Sequence, residues 1–210
     1  VIPTFIFEDF YTAQPWRNGA GLTREILQLR CAPDSPEAVP VDATAAESWD
    51  ARISMADIEA DSAFSIFPGI QRHQVLLSGK GHALTFADGS SQNILPPHGR
   101  AVFSGDTPTQ CRLIDGPVTV FNLMVRADRL YAELLHRPLV GSMLFFPEAG
   151  VAWVGYVVSG SAHFHDQSDA RRLSAGDSFL LRTEPGPDSP RRTVLEGGGE
   201  LLLTRLRQAE

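Results

Sequence analysis

The sequence predicts an all-β fold, and three observations predict it. Apolar runs are short and are punctuated throughout by 18 Gly and 15 Pro, which break up any long helix. Several runs alternate apolar with polar residues, the pattern of a strand with one buried face. One Gly-centred pattern also occurs twice, which suggests two similar β-halves in one chain.

Candidate strands follow one another along the chain: 4–7, 23–30, 51–56, 64–67, 73–78, 83–86, 101–104, 110–115, 119–125, 150–158, 161–165, 177–182 and 201–207. Between them, Ala32–Glu47 is rich in Pro, Asp and Ala, lacks periodicity and reads as an exposed loop. One helix is expected, with Asp128 capping a turn that carries Leu130, Leu134 and Leu135 and stops before Pro138. Many short strands with regular turns indicate a sandwich or barrel.

The 210 residues allow one large domain or two small ones, and a net charge of −7 argues against a non-specific nucleic-acid binder. No apolar run approaches the roughly 20 residues that span a bilayer, and the N-terminus lacks a signal-peptide pattern. No membrane or nucleic-acid partner is therefore expected, and a cytoplasmic location is. The cysteines, Cys31 and Cys111, lack metal or redox spacing and read as buried thiols rather than a bridge.

The repeat sets Val75-Leu76-Leu77-Ser78-Gly79-Lys80-Gly81-His82-Ala83 beside Tyr156-Val157-Val158-Ser159-Gly160-Ser161-Ala162-His163-Phe164. A second glycine-marked strand follows each copy, at His98–Phe103 and Ala175–Leu180. A hairpin glycine, a polar tip and a later glycine turn resemble the cupin barrel. Two copies imply a bicupin: two cupin-type β-barrels in one chain with one short helix. The halves are expected near 1–137 and 138–210, with the N-terminal strand free to cross over.

Cupin enzymes hold a transition metal with His and Glu ligands, and counting from the hairpin glycines locates those positions. In the first half the Glu position holds Arg72, the preceding His pair would fall within Ser65–Pro68, and the later His lands near Gln110. In the second half the corresponding positions hold Trp153 and a residue near Pro187. His163 and His165, followed by Asp169, form a His-x-His on the wrong strand and read as a solvated face. His73, His82, His98 and His136 are scattered singles. No metal and no cofactor are expected.

Arg72 in place of a ligand Glu is either a surface side chain or a planar cation suited to a carboxylate. Phe67-Pro68-Gly69 is a turn able to aim it inward. In Val118–Val125, alternation sets Asn122 with Val120 and Met124 among apolar residues, so its amide needs three or four partners. Those partners are backbone groups if Asn122 is structural, or Glu25 and a ligand if it is not. Alternation along 23–30 also places Thr23 and Glu25 in line with Leu27 and Leu29. A carboxylate so placed requires a partner. No Gly-x-Ser-x-Gly or other nucleophile–base pairing is present, and Gly19-Ala20-Gly21 precedes a strand rather than the helix of a dinucleotide fold.

Trp16-Arg17-Asn18-Gly19-Ala20-Gly21-Leu22-Thr23-Arg24-Glu25 resembles the Trp-Lys/Arg-Asn-Gly-Gly-Gly-x-Thr-x-Glu motif of the HutD/Ves family. Trp49–Ala56, Phe64–Arg72 and Phe121–Met124 match further motifs in the expected order. The resemblance implies a metal-free bicupin without an established enzymatic activity, associated with histidine utilisation. Its members are thought to sense or buffer a carboxylate intermediate of the urocanate or formyl-glutamate type, while Ves members are linked to stress responses. Ala20 departs from the third Gly, and Gln71 and Val120 stand where many relatives carry Asp.

Three readings follow. In the first the protein is a regulatory small-molecule binder: Arg72 clamps a carboxylate, Asn18, Thr23 and Asn122 hydrogen-bond it, Glu25 takes a donor or orients Arg72, and Trp16 forms an apolar wall. In the second it is a metal-free isomerase or hydrolase with Glu25 as general base, its pKa raised by desolvation. In the third it is an interaction module whose second half forms a homodimer.

Overall fold

The computed structural model describes residues 3–16, 18–31, 36–39, 49–146, 148–165, 172–182 and 192–209. Its strands are β1 (Pro3–Ile6), β2 (Thr12–Pro15), β3 (Gly21–Arg30), β4 (Glu37–Val39), β5 (Ala51–Ile58), β6 (Ser62–Ala63), β7 (Ile70–Ser78), β8 (His82–Phe86) and β9 (Ser91–Ile94). They continue as β10 (Arg100–Ser104), β11 (Thr109–Leu113), β12 (Val118–Arg126), β13 (Leu130–Phe145), β14 (Val151–Phe164), β15 (Leu173–Ser174), β16 (Ser178–Arg182) and β17 (Thr193–Gln208). A single 3-10 turn, Glu8–Phe10, interrupts them, and no α-helix occurs among the described residues.

The chain forms two compact units. One comprises Thr12–Leu29 and Val39–Arg129, the other Val1–Tyr11, Arg30–Ala38 and Leu130–Glu210. In the first, one sheet runs β10-β7-β12-β5-β3-β2 and a smaller one runs β6-β11-β8-β9. Edge strands show the expected alternation: Ala101 and Phe103 of β10 are buried between exposed Arg100, Val102 and Ser104. The core lies between the sheets, where Ala56, Leu76, Phe103 and Val120 of the larger meet Leu84, Ile94 and Cys111 of the smaller. The central strands β5 and β12 are buried on both faces along most of their length, with Ser54 and Asn122 set among apolar residues.

The second unit is one sheet, β1-β16-β14-β17-β13, with β15 paired to β14. Phe145, Phe164, Phe179, Leu195 and Leu203 centre its core. Phe164 and Phe179 meet edge-to-face at 5.1 Å, the offset geometry aromatic rings prefer. Gly155 pairs across the strands with Phe179, and a Cβ on Gly155 would sit 2.1 Å from that ring, so only glycine leaves room for it.

Several expectations are corrected. The short helix from Asp128 does not form; Leu130, Leu134 and Leu135 belong to β13, which pairs with β17 along its whole length. Leu130 and Ala132 are buried while Tyr131 and Glu133 are exposed, the period of a strand. Pro138 sits on β13, which ends its sheet among the described residues, and an edge strand is where proline is tolerated. Gly160 makes no hairpin: β14 runs through it, with a register shift between Val157 and Ser159. Residues 64–67 form no strand, whereas Glu37–Val39, inside the expected loop, does. Residues 32–35 and 40–47 of that loop lie outside the described residues, as do Arg17, Asp169 and Pro187. The sheets are open, and strand pairing among the described residues does not close either unit into a barrel.

Candidate functional site

The site begins at the turn before β3. Trp16 N–H donates to Gly21 O at 2.9 Å and Gly19 N–H to Trp16 O at 3.0 Å, closing a loop around Gly19 with φ +69°. Gly21 is required by close approach: a Cβ there would stand 2.3 Å from the Asp57 carbonyl and 3.2 Å from the Trp16 indole. The turn presents the indole edge to β3, where Trp16 Nε1–H donates to Thr23 Oγ1 at 2.8 Å. The indole face meets Phe64 edge-on at 6.3 Å.

Along β3 the expected face assignment fails. Glu25 pairs with Ser54, but Leu27 pairs with Ile53, so a bulge adds one residue between them. The extra residue flips the side-chain phase. Thr23 and Glu25 therefore share a face with Ser54 and Ala56, while Leu27 and Leu29 point to the opposite face with Ile53 and Ala51.

Register across β5, β12 and β7 sets two rows on the cavity face. One carries Arg52, Met124 and Arg72, the other Ser54, Asn122 and Gln74. These residues and the Trp16 turn bound a cavity of about 480 Å³ lined by Trp16, Asn18, Thr23, Arg52, Ser54, Phe64, Phe67, Arg72, Asn122 and Met124, among others. That volume suits a small organic ligand.

Arg72 is 9% exposed and makes no hydrogen bond or ion pair among the described residues. Its guanidinium lies 4.8 Å from the ring centre of Phe64 and 5.0 Å from that of Phe103, a cation–π arrangement. Burial, with the nearby charge of Arg52 adding to it, lowers its pKa to about 10, which still leaves it a cation at neutral pH. The Phe67–Ile70 turn, closed by Ile70 N–H to Phe67 O at 3.2 Å, starts the strand that carries Arg72 inward.

Glu25 is buried and pairs with Arg52, not Arg72. Arg52 Nε donates to both carboxylate oxygens at 2.9 and 2.8 Å, and Nη2 donates to Oε2 at 2.5 Å. Glu25 itself is absent from the cavity wall, which Arg52 occupies. Of the two roles expected of Glu25, taking a donor or orienting Arg72, it takes donors, and they come from a second arginine, Arg52. Asn122 is buried, and its Oδ1 accepts from Gln74 Nε2 at 3.1 Å rather than from backbone. Gln74 Oε1 in turn lies 2.7 Å from His82 Nε2, and His82 is fully buried. Asn18 Oδ1 accepts the Ala20 N–H at 3.1 Å.

Of the six candidate residues, Trp16, Asn18, Thr23, Arg72 and Asn122 all line this one cavity. Sequence reasoning missed Arg52, Gln74 and His82. Arg52 was findable: it alternates with Ser54 and Ala56 in a strand, and the buried carboxylate of the preceding motif, Glu25, needed a partner. Gln74 and His82 carry no such signal, because their connection exists only through the register of β7 with β12. Val120, one of the three departures, is buried in the core between the sheets and is not among the wall residues. His163 Nε2 and His165 Nδ1 lie 3.4 and 3.3 Å from the oxygens of Glu196 on a partly exposed strand face.

An aromatic-walled cavity carrying two arginines and, among the described residues, no acid on its wall defines an all-β protein with a cationic pocket. The family model HutD matches residues 8–203, and the chain belongs to the HutD family. It is 36% identical over 124 residues to an uncharacterized 21.2 kDa protein in the hutC 3' region of Pseudomonas putida, covering 59% of this chain and 58% of that one. It is 31% identical over 153 residues to protein Ves of Cronobacter sakazakii, covering 72% and 74% respectively. The structure of HutD from Pseudomonas fluorescens SBW25, formate condition, matches all of both chains with a TM-score of 0.76 and 28% identity. No helix among the described residues is long and apolar enough to cross a membrane.

Proposed function

We propose that the protein is a metal-free binder of a small carboxylate, of the urocanate or formyl-glutamate type, with a regulatory role in histidine utilisation. The observation that carries this reading is Arg72: a buried guanidinium, without a hydrogen-bond or ion-pair partner among the described residues, on the wall of a ligand-sized cavity. Burying a lone charge costs several kcal/mol, and a bidentate carboxylate offsets that cost while satisfying the fork of N–H donors. Asn122, Thr23 and Asn18 add donors, and Trp16 and Phe64 add apolar wall. In the same reading, each unit is the open half-barrel of a cupin-type fold, with the cavity in the place a metal takes in cupin enzymes.

Catalysis by Glu25 is the weaker reading, because both of its oxygens are held by Arg52 and it does not reach the wall. The test is a thermal-shift panel of small carboxylates. A true ligand at a hundredfold excess over its Kd stabilises the fold by about 2.7 kcal/mol. Arg72→Ala is expected to abolish that shift while leaving the protein folded; a panel without any Arg72-dependent shift overturns the reading.

A further inference from the structure

Resting on that reading, we infer that His82 and Gln74 are positioning residues: from behind the wall they hold the Asn122 amide with its NH2 turned to the ligand. Neither is among the wall residues, and both are buried. Gln74 faces Asn122 across the register of β7 with β12, while His82 comes from β8 of the smaller sheet. Gln74 spans the two, with Oε1 2.7 Å from His82 Nε2 and Nε2 3.1 Å from Asn122 Oδ1. An asparagine left to itself can turn its amide over and exchange oxygen for nitrogen with little change of shape. A glutamine has the same freedom, so Gln74 alone would not fix Asn122.

Two directions are open to such a chain. In one, His82 carries its proton on Nε2 and donates to Gln74 Oε1, Gln74 donates to Asn122 Oδ1, and Asn122 Nδ2 is left over. In the other, the proton sits on Nδ1, each amide is turned over, and Asn122 Oδ1 is left over. Burial decides between them. His82 Nδ1 is buried and has no hydrogen-bond partner among the described residues. A proton there would be an orphaned buried donor, which proteins keep more rarely than an orphaned lone pair. Burial also lowers the His82 pKa to about 4, so near pH 7 the ring is neutral and has one proton to place. The chain therefore runs from His82 toward the cavity. At its end Asn122 Oδ1 is tied to Gln74, although it keeps a second lone pair. Asn122 Nδ2 has no partner among the described residues and is not one of the buried orphan atoms, so its two N–H bonds are open to the cavity that Asn122 lines. An amide oriented before the ligand arrives does not have to be ordered by binding.

Two measurements test this. Nitrogen NMR of the uniformly labelled protein without ligand reads the His82 tautomer. The proton is expected on Nε2; a proton on Nδ1 reverses the chain and overturns the inference. Titration calorimetry with urocanate and with N-formylglutamate then compares wild type, Arg72→Ala, Gln74→Met, Asn122→Ala and the double variant Gln74→Met/Asn122→Ala. Gln74→Met keeps the length of the side chain and removes both of its polar atoms. It is expected to weaken binding about fivefold, the worth of one hydrogen bond, and to have no further effect once Asn122 is Ala. An unchanged affinity in Gln74→Met, or losses that add in the double variant, overturns positioning through Asn122. Should Gln74→Met fail to fold, the wild-type tautomer decides alone. If neither acid binds in an Arg72-dependent way, the carboxylate reading falls, and the tautomer still upholds or overturns the direction of the chain.

Discussion

Arg52 and Arg72 flank the same methionine across neighbouring strands, yet their surroundings differ in kind. Arg52 has its charge met inside the protein by a carboxylate with a side-chain exposure of 1%. Removing only one member of such a pair strands the other. Arg52→Ala is therefore expected to cost about 3 kcal/mol of stability, read as a lowered urea midpoint, while Glu25→Gln with Arg52→Met recovers most of it. His82 gives a second expectation at this scale. Burial sets its pKa at about 4, below the ordinary 6.5, so the native state holds it neutral and the unfolded chain takes up a proton first. The resulting stability is complete above about pH 6.5 and is lost as pH falls toward 4, about 3 kcal/mol in all. Urea melts across that range should show the loss, and His82→Leu should remove it. Arg72 was legible in the sequence because glycine spacing marks a slot and its occupant is unusual there. Asn122 was legible as a polar residue among apolar ones, but its partners were not, since strand register is a long-range property.

At the scale of elements, what could be read was local and what could not was pairing. Alternation and glycine punctuation identified most of the strands around the cavity. The spacing of Leu130, Leu134 and Leu135 fits a helix as well as a strand, and only sixteen residues of β17 lying alongside decide the matter. The bulge between Glu25 and Leu27 is likewise invisible in the sequence: it needs the partner strand as a ruler. Glycine within β14 has a testable consequence. Gly155→Ala pushes a methyl into the Phe179 ring, where overpacking is expected to cost about 1–3 kcal/mol. A fall in Tm checks it, and Phe179→Leu in the same chain should relieve part of the loss.

For the whole molecule, connectivity matters more than length. The chain leaves one unit after Tyr11, builds most of the other, and returns for good at Leu130. β1 then pairs with β16, Pro3 opposite Leu181 and Ile6 opposite Ser178, and Phe5 packs edge-on against Phe164 at 5.9 Å. The Tyr11 hydroxyl donates to Gly176 O at 2.7 Å within the same unit. Deleting residues 1–11 leaves β16 as an open edge. Hydrogen exchange should then report lost protection in β14 and β16, with β5 and β12 protected as before.

The pairing of β1 with β16 also imposes an order on birth. During synthesis β1 leaves the ribosome before the cavity-bearing unit, yet its partner strand follows some 170 residues later. At roughly 5–20 residues per second, β1 waits on the order of ten seconds or more without a neighbour. Meanwhile every residue of the cavity-bearing unit has emerged. The pocket can thus be complete before the chain that carries it has closed its other half, and β1 is the segment most in need of a chaperone's cover.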